Sequence, residues 1–300
     1  MLLSQKSLRS ALGILWLIDG LLQLQPRMFT PNMADSILWP TIEGQPAPIA
    51  ASLHSIVTVL SQHLTLTNVL IAIIECEIGL FLLAGLWVRG AVIVSIVWSI
   101  LVWYGGEGMS MLFTGQASIL TGAPGAVLLY ALLGLLVYPR KTGSGSQTDA
   151  LLSRRQFRWI LAGFWIFAAL LQCQPYWWEQ GSISRAISEM VGQGGLDRFL
   201  LDPSLQAFAS STVAWEIPLN IVLIELFLGL GIALVFVKQS QLRPWLVLSI
   251  VFSVAIWWGV QALGLLFTGM TTDVNSGPLL ILMALACWPV VVRSKVGQKY

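Results

Sequence analysis

Long apolar runs alternate with short polar breaks along the whole chain. Eight runs approach membrane length: about 10–25, 65–86, 89–105, 121–138, 156–174, 216–237, 243–264 and 277–292. A helix that crosses a bilayer needs roughly 20 predominantly apolar residues, so the pattern predicts eight transmembrane helices. A polar, Gly/Ser-rich stretch, "RKTGSGSQTDALLSRR" (140–155), divides the runs into two sets of four. Its composition predicts a flexible surface linker between units 1–139 and 156–300. Each unit carries a longer insert after its first run, at 27–64 and 176–215. Ile49, Leu53, Ile56, Val57 and Leu60 in the first, and Ile183, Ile187, Met190 and Val191 in the second, follow helical spacing. These predict amphipathic helices on the outer surface or capping the bundle. A lid without a ligand role is the plain alternative.

The two units are repeats. "LLQLQP" (21–26) returns as "LLQCQP" (170–175), "LGILW" (12–16) as "LAGFW" (161–165), and "LFTG" stands at 112–115 and 266–269. "ECEIGL" (75–80) aligns with "ELFLGL" (225–230), which makes Glu75 and Glu225 equivalent. "VWYGGEG" (102–108) aligns with "IWWGVQA" (256–262). Four spans per unit make the repeats parallel; inverted repeats need an odd number. The predicted fold is therefore all-α: a polytopic membrane protein with eight transmembrane helices, arranged as two parallel, pseudo-twofold-related four-helix bundles.

Composition agrees. The 300 residues are 56% hydrophobic and 10% charged, with mean hydropathy +0.79, whereas a soluble domain is about 25% charged. If the N-terminus lies inside, every lysine and arginine except Arg27, Arg185 and Arg198 falls on an inner segment. The positive-inside rule then sets both termini in the cytoplasm. Lys6 and Arg9 precede an apolar run with no small-residue cleavage site, which fits an uncleaved first span. Cys76, Cys173 and Cys287 lie singly in apolar runs, as small buried hydrophobes. His54 and His63 lie outside them and offer no haem pair. There is no P-loop, dinucleotide fingerprint or metal-ligand cluster, and nothing favours nucleic acid.

Polar residues inside the apolar runs are the candidates for chemistry, because each needs a partner there. Helix positions two apart point about 200° apart, so Gln23 and Gln25 cannot share a face. Gln23 does share one with Asp19 and Trp16. In the second unit Trp165 and Gln172 keep that stripe, with Ala168 in place of Asp19. By the same alignment Glu77 faces Phe227 and Glu107 faces Gln261. Divergence between repeats is where function separates from scaffold, so the first bundle is the candidate site, near the outer leaflet. Asp19, Glu77 and Glu107 are the candidate catalytic, proton-handling residues. Trp16, Gln23, Glu75, Trp103, Gln172 and Glu225 are the candidate ligand-binding residues. Burial disfavours the charged form of a carboxyl, which suits proton relay or hydrogen bonding to a quinone carbonyl. The structural alternatives are a Glu75/Glu225 pair bonded to tryptophans, an Asp19 bonded to Gln23, and a solvated Glu107.

Tryptophans within spans (Trp16, Trp98, Trp103, Trp165, Trp257 and Trp258) suit either packing or a pocket for a flat apolar ligand. Trp39, Trp177, Trp178 and Trp215 suit an interfacial belt. The loops at 112–125 and 266–278 each lead into a span through Pro124 or Pro278. They present either a helix N-terminus open to an anion or a tight turn.

A four-span unit with an outer insert after its first span, glycine-bearing second spans and a terminal apolar span resembles the DoxX/DoxD-like family of bacterial membrane proteins. "LWLIDGLLQLQPRMF" (15–29) and "TGAPGAVLLYALL" (121–133) also resemble a duplicated group related to it. The resemblance implies the bacterial inner membrane and, from the family's best-defined activity, a membrane subunit of a thiosulfate:quinone oxidoreductase. It transfers no catalytic residue. The expected function is binding of a small hydrophobic redox partner, a quinone, for an oxidoreductase system at the outer leaflet, alongside a membrane or periplasmic redox partner. The alternatives are a proton-coupled transporter of a small hydrophobic or anionic solute, and a scaffold without a ligand.

Overall fold

The computed structural model describes residues 4–141 and 148–289. Among these, the principal helices are α1 (Gln5–Leu22), α2 (Ala47–Gln62), α3 (Leu64–Ala84), α4 (Val88–Gly105), α5 (Ala126–Val137), α6 (Arg154–Gln172), α7 (Ser182–Ser188), α8 (Asp202–Thr212), α9 (Glu216–Phe236), α10 (Leu242–Gly259) and α11 (Ser276–Ala286). The protein is all-helical apart from a short antiparallel pairing of β1 (Pro139–Lys141) with β2 (Thr148–Ala150). That pairing lies within the predicted flexible linker, whose residues 142–147 fall outside the described residues, as do Arg293, Lys295 and Lys299.

Among the described residues, four helical stretches are long and apolar enough to cross a membrane: Leu64–Ala84, Val88–Gly105, Asp202–Phe236 and Gln239–Gly259. α1 and α6, of 18 and 19 residues, open on charged residues. α5 and α11 are shorter, at 12 and 11 residues. Leu66, Leu80, Val97, Leu101 and Ile232 are exposed on α3, α4 and α9. So large an apolar surface is compatible with lipid around these helices and unfavourable in water.

Local sequence explains the ends and the pairing of helices. The Ser4 hydroxyl caps α1, and Ser153 with Gln156 forms a capping box on α6. Gly85, at φ 73°, closes α3 in the left-handed conformation that favours glycine. α1 and α3 meet through small residues. A Cβ on Gly20 would lie 2.6 Å from Cys76 Sγ, and one on Gly79 would lie 2.8 Å from the Gly13 carbonyl oxygen. α6 and α9 repeat the contact, with a Cβ on Gly231 2.9 Å from the Ala162 carbonyl oxygen.

These contacts correct the repeat register. Asn68 Nδ2 donates to the Gln23 carbonyl (2.5 Å), and Asn220 Nδ2 to the Gln172 carbonyl (3.2 Å). Asn68 therefore matches Asn220 and Gly79 matches Gly231. In that register Glu75 matches Phe227, and Glu225 matches Ile73. The expected Glu75/Glu225 equivalence is two positions out, which on a helix turns a side chain to the other face. Accordingly Glu75 is buried and Glu225 exposed. Other pairings hold as expected: Trp16 Nε1 donates to Ser95 Oγ and Trp165 Nε1 to Ser249 Oγ, both at 3.0 Å.

The halves exchange loops. Gln172 donates to Ser118 Oγ (2.5 Å), while Gln174 and Trp177 donate to the Ala117 carbonyl (2.8 and 3.2 Å), so the first half's loop sits on the second half. In return Val274 N–H donates to Asp19 (3.2 Å) and Arg27 to the Thr268 carbonyl (3.2 Å). Each loop leaves its long helix through four consecutive left-handed residues, Gly108–Met111 (φ 50–58°) and Ala262–Leu265 (φ 47–71°). A non-glycine residue there costs about 1–2 kcal/mol, so neighbours must hold the turn. Gln45 Nε2 donates to the Gly108 carbonyl (2.7 Å) and Thr271 Oγ1 to the Gly264 carbonyl (2.7 Å).

Candidate functional site

A cavity of about 470 Å³ lies in the first half between α1, α3 and α4. That is the size of a small-molecule site, for which about 300–1,000 Å³ is usual. α2 supplies Ile56 and Leu60 to its wall, and the exchanged second-half loop supplies Thr272 and Asp273. Most of the wall is apolar. The polar groups are Asp19, Gln23, Glu75, Glu107 and Asp273, beside the rings of Trp16, Trp98 and Tyr104. No lysine, arginine or histidine lines it among the described residues.

Each carboxyl has a distinct setting. Asp19 accepts from the Tyr130 hydroxyl and from Val274 N–H. The Tyr130 ring in turn packs tilted against Trp16, with centroids 4.3 Å apart. Glu75 accepts from Trp98 Nε1 (3.3 Å) through one oxygen, and its other oxygen is buried without a partner. Gln23 Oε1 is likewise buried and unpartnered. A buried polar atom without a partner costs about 1–3 kcal/mol, and both of these atoms belong to residues that line the cavity. Glu107 accepts from Ser110 Oγ (3.0 Å) and from Val127 N–H (3.3 Å). Burial first, and then the nearby Asp273 carboxyl, push Glu107 up to about 8, against the pull of Ser110 and the Val127 and Ala126 N–H groups. Burial also raises Asp273, against the Asn275 N–H and Thr272 hydroxyl that favour its charged form.

Glu107 decides between the two readings of the loop that leads into α5. The first N–H groups of α5 are satisfied by its carboxyl, so this N-terminus is not an open anion site. Gly125, at φ 122°, permits the approach: a Cβ there would lie 2.3 Å from Glu107 Oε2. At the start of α11 the Asn275 side chain caps Ser276 N–H (2.6 Å).

Of the predicted site residues, the structure brings together Trp16, Asp19, Gln23, Glu75 and Glu107. It separates the others. Glu77 is exposed, because it sits two positions from Glu75 and points away from the cavity. Glu225 is exposed on α9. Gln172 Nε2 donates to Ser118 of the exchanged loop, away from the cavity, and its Oε1 is buried without a partner. Trp103 donates to the Pro124 carbonyl (2.6 Å), as Trp257 does to the Val274 carbonyl (2.9 Å), so both fix loop ends. Sequence reasoning missed Asp273 and Tyr130. Tyr130 stands out only as a hydroxyl inside an apolar run. Asp273 carried no signal, because its loop belongs to the other repeat.

The second half shows what the same scaffold becomes without these carboxyls. Ala168, Phe227, Phe252 and Leu280 take the positions of Asp19, Glu75, Trp98 and Tyr130. The Trp165 ring packs 5.5 Å from Phe227 and 6.3 Å from Phe252. One scaffold thus carries an acid-bearing cavity in one repeat and packed aromatic rings in the other. Comparison with protein-family models, curated proteins and solved structures found no match. The fold and site define an all-helical protein, compatible with a membrane, that carries an apolar cavity lined by four carboxyl groups.

Proposed function

We propose that the protein is an eight-span membrane protein, built of two parallel bundles related by pseudo-twofold symmetry, with both termini cytoplasmic and the cavity toward the outer leaflet. In its first bundle it binds a small hydrophobic redox partner of the quinone class on behalf of an oxidoreductase system. The observation that carries the reading is the pairing of an apolar wall with two unpartnered buried oxygens, on Glu75 and Gln23. The oxygens suit the hydroxyls of a quinol; a protonated carboxyl suits the carbonyl of a quinone. Gln23 orients the head group, Glu75 takes or gives its proton, and Asp19 holds the wall. The family resemblance supports the same ligand class.

The test is extraction of quinone from the purified protein, followed by titration of a short-chain quinol and quinone into wild type and Glu75→Gln. Co-purifying quinone, with binding weakened about tenfold or more in the variant, is expected. A protein free of quinone and indifferent to added quinol overturns the reading.

A second reading, proton-coupled transport of a small solute, is favoured by one observation. A further cavity of about 540 Å³ shares Ile37, Thr272 and Asp273 with the first. Proton-dependent uptake into liposomes, without bound quinone, is its expected result.

A further inference from the structure

The opposite end of the second bundle carries a site of different chemistry. A cavity of about 560 Å³ opens between the start of α6 and the end of α9. Among the described residues its lining includes Arg154, Arg155, Arg158 and Lys238, and no acidic residue. Arg155 and Lys238 are exposed, and the Arg155 guanidinium rests over the Trp159 ring at 5.4 Å. Arg158 is only 8% exposed. It donates to the carbonyls of Val237 (3.2 Å) and Val235 (3.3 Å), which close the C-terminus of α9, but its Nε is buried without an acceptor. An unmatched buried N–H of a charged group is expensive. Beside it Phe236 is 80% exposed, an apolar surface next to the basic rim.

The repeat comparison isolates the feature. Arg158 corresponds to Arg9, whose Nε is also unpartnered and whose guanidinium lies against Gly85. Around it the halves differ at two positions: Gln5 and Leu86 stand where the second half has Arg154 and Lys238, while basic Lys6 corresponds to Arg155. Arg158 caps the C-terminus of α9 through its bonds to Val235 and Val237. The added positive charge is peculiar to the second half and is not needed for that cap.

We propose that this cavity binds the phosphate group of an anionic phospholipid, with the Arg158 Nε–H, Arg155 and Lys238 on the phosphate oxygens and an acyl chain along Phe236. Guanidinium groups match phosphate geometry. Basic pockets between membrane helices on the cytoplasmic side, the side proposed for this end, meet a leaflet rich in anionic lipid. The site is independent of the quinone reading and stands if that reading fails.

The test uses full-length protein in nanodiscs of phosphatidylcholine, with or without phosphatidylglycerol, read by melting temperature and by lipid retained on transfer to detergent. Retention of phosphatidylglycerol over phosphatidylcholine, with a higher Tm, is expected. The Arg155→Gln/Lys238→Gln double variant removes two charges and is expected to reduce retention about tenfold or more. Both side chains are exposed, so its Tm in phosphatidylcholine alone stays that of wild type. Equal retention of the two lipids overturns the proposal. So does stabilisation by inorganic phosphate with none by phosphatidylglycerol, which assigns the site to a free oxyanion. Unchanged retention in the double variant overturns the assignment of the phosphate to Arg155 and Lys238.

Discussion

Asp19 accepts the backbone N–H of Val274 across 255 positions of chain, at 3.2 Å. One carboxyl therefore joins the first helix of one repeat to the last loop of the other, on the wall of the candidate cavity. Its second oxygen takes the Tyr130 hydroxyl, so the group organises the wall on both sides.

Removing that acceptor leaves a buried N–H and a buried hydroxyl unmatched. Asp19→Ala is expected to destabilise the protein by about 2–4 kcal/mol. Asp19→Asn, which keeps one acceptor oxygen, is expected to lose less than half of that. Thermal melts in one detergent compare the two. Equal melting temperatures for wild type and Asp19→Ala contradict the role given to the loop exchange.

Glu75, Glu77 and Glu225 are three acids in comparable apolar helices, and only Glu75 is buried at the cavity. Glu77→Gln and Glu225→Gln are expected to leave quinol binding intact. Glu75→Gln is expected to weaken binding about tenfold or more. A binding defect in Glu77→Gln comparable to that of Glu75→Gln refutes the assignment.

Glu107 gives the protein a pH dependence of definite sign. Its folded-state value of about 8 lies above the ordinary 4.5, so between these limits the folded state holds more proton than the unfolded one. Stability then falls as pH rises through that window and levels off above about 8. Asp273, also raised by burial, adds a contribution of the same sign. Melts from pH 4.5 to 8.5 are expected to show the decline in wild type and a flatter profile in Glu107→Gln. Asp273→Asn, which removes a like charge, is expected to move the end of the decline to lower pH. A Glu107→Gln profile as steep as wild type contradicts this account.

The helices were legible in the sequence because apolar run length and capping residues act locally. The stripe Trp16–Asp19–Gln23 was legible for the same reason: it lies on one helix face. The Glu75/Glu225 pairing misled because two acids near a shared glycine align by letter, whereas the register is fixed by a tertiary contact, Gly79 on α1 and Gly231 on α6. Asp273 was invisible because its place in the site depends on a loop crossing between repeats. No periodicity encodes that crossing.

Phe227 suggests the last experiment. It is fully buried where the first repeat has Glu75, and it packs on Trp165. Glu75→Phe therefore gives the first half the side chain that the equivalent position accepts in the second. The substitution removes an unpartnered buried oxygen, worth about 1–3 kcal/mol. It also fills part of a cavity that is mostly apolar, at about 25 cal/mol per Å² buried, while Trp98 loses its acceptor and gives back part of the gain. The expected outcome is a melting temperature equal to or above that of wild type, with quinol binding abolished. Such a separation of stability from binding is what a cavity kept open for a ligand demands. A variant that melts lower and still binds quinol puts the ligand elsewhere.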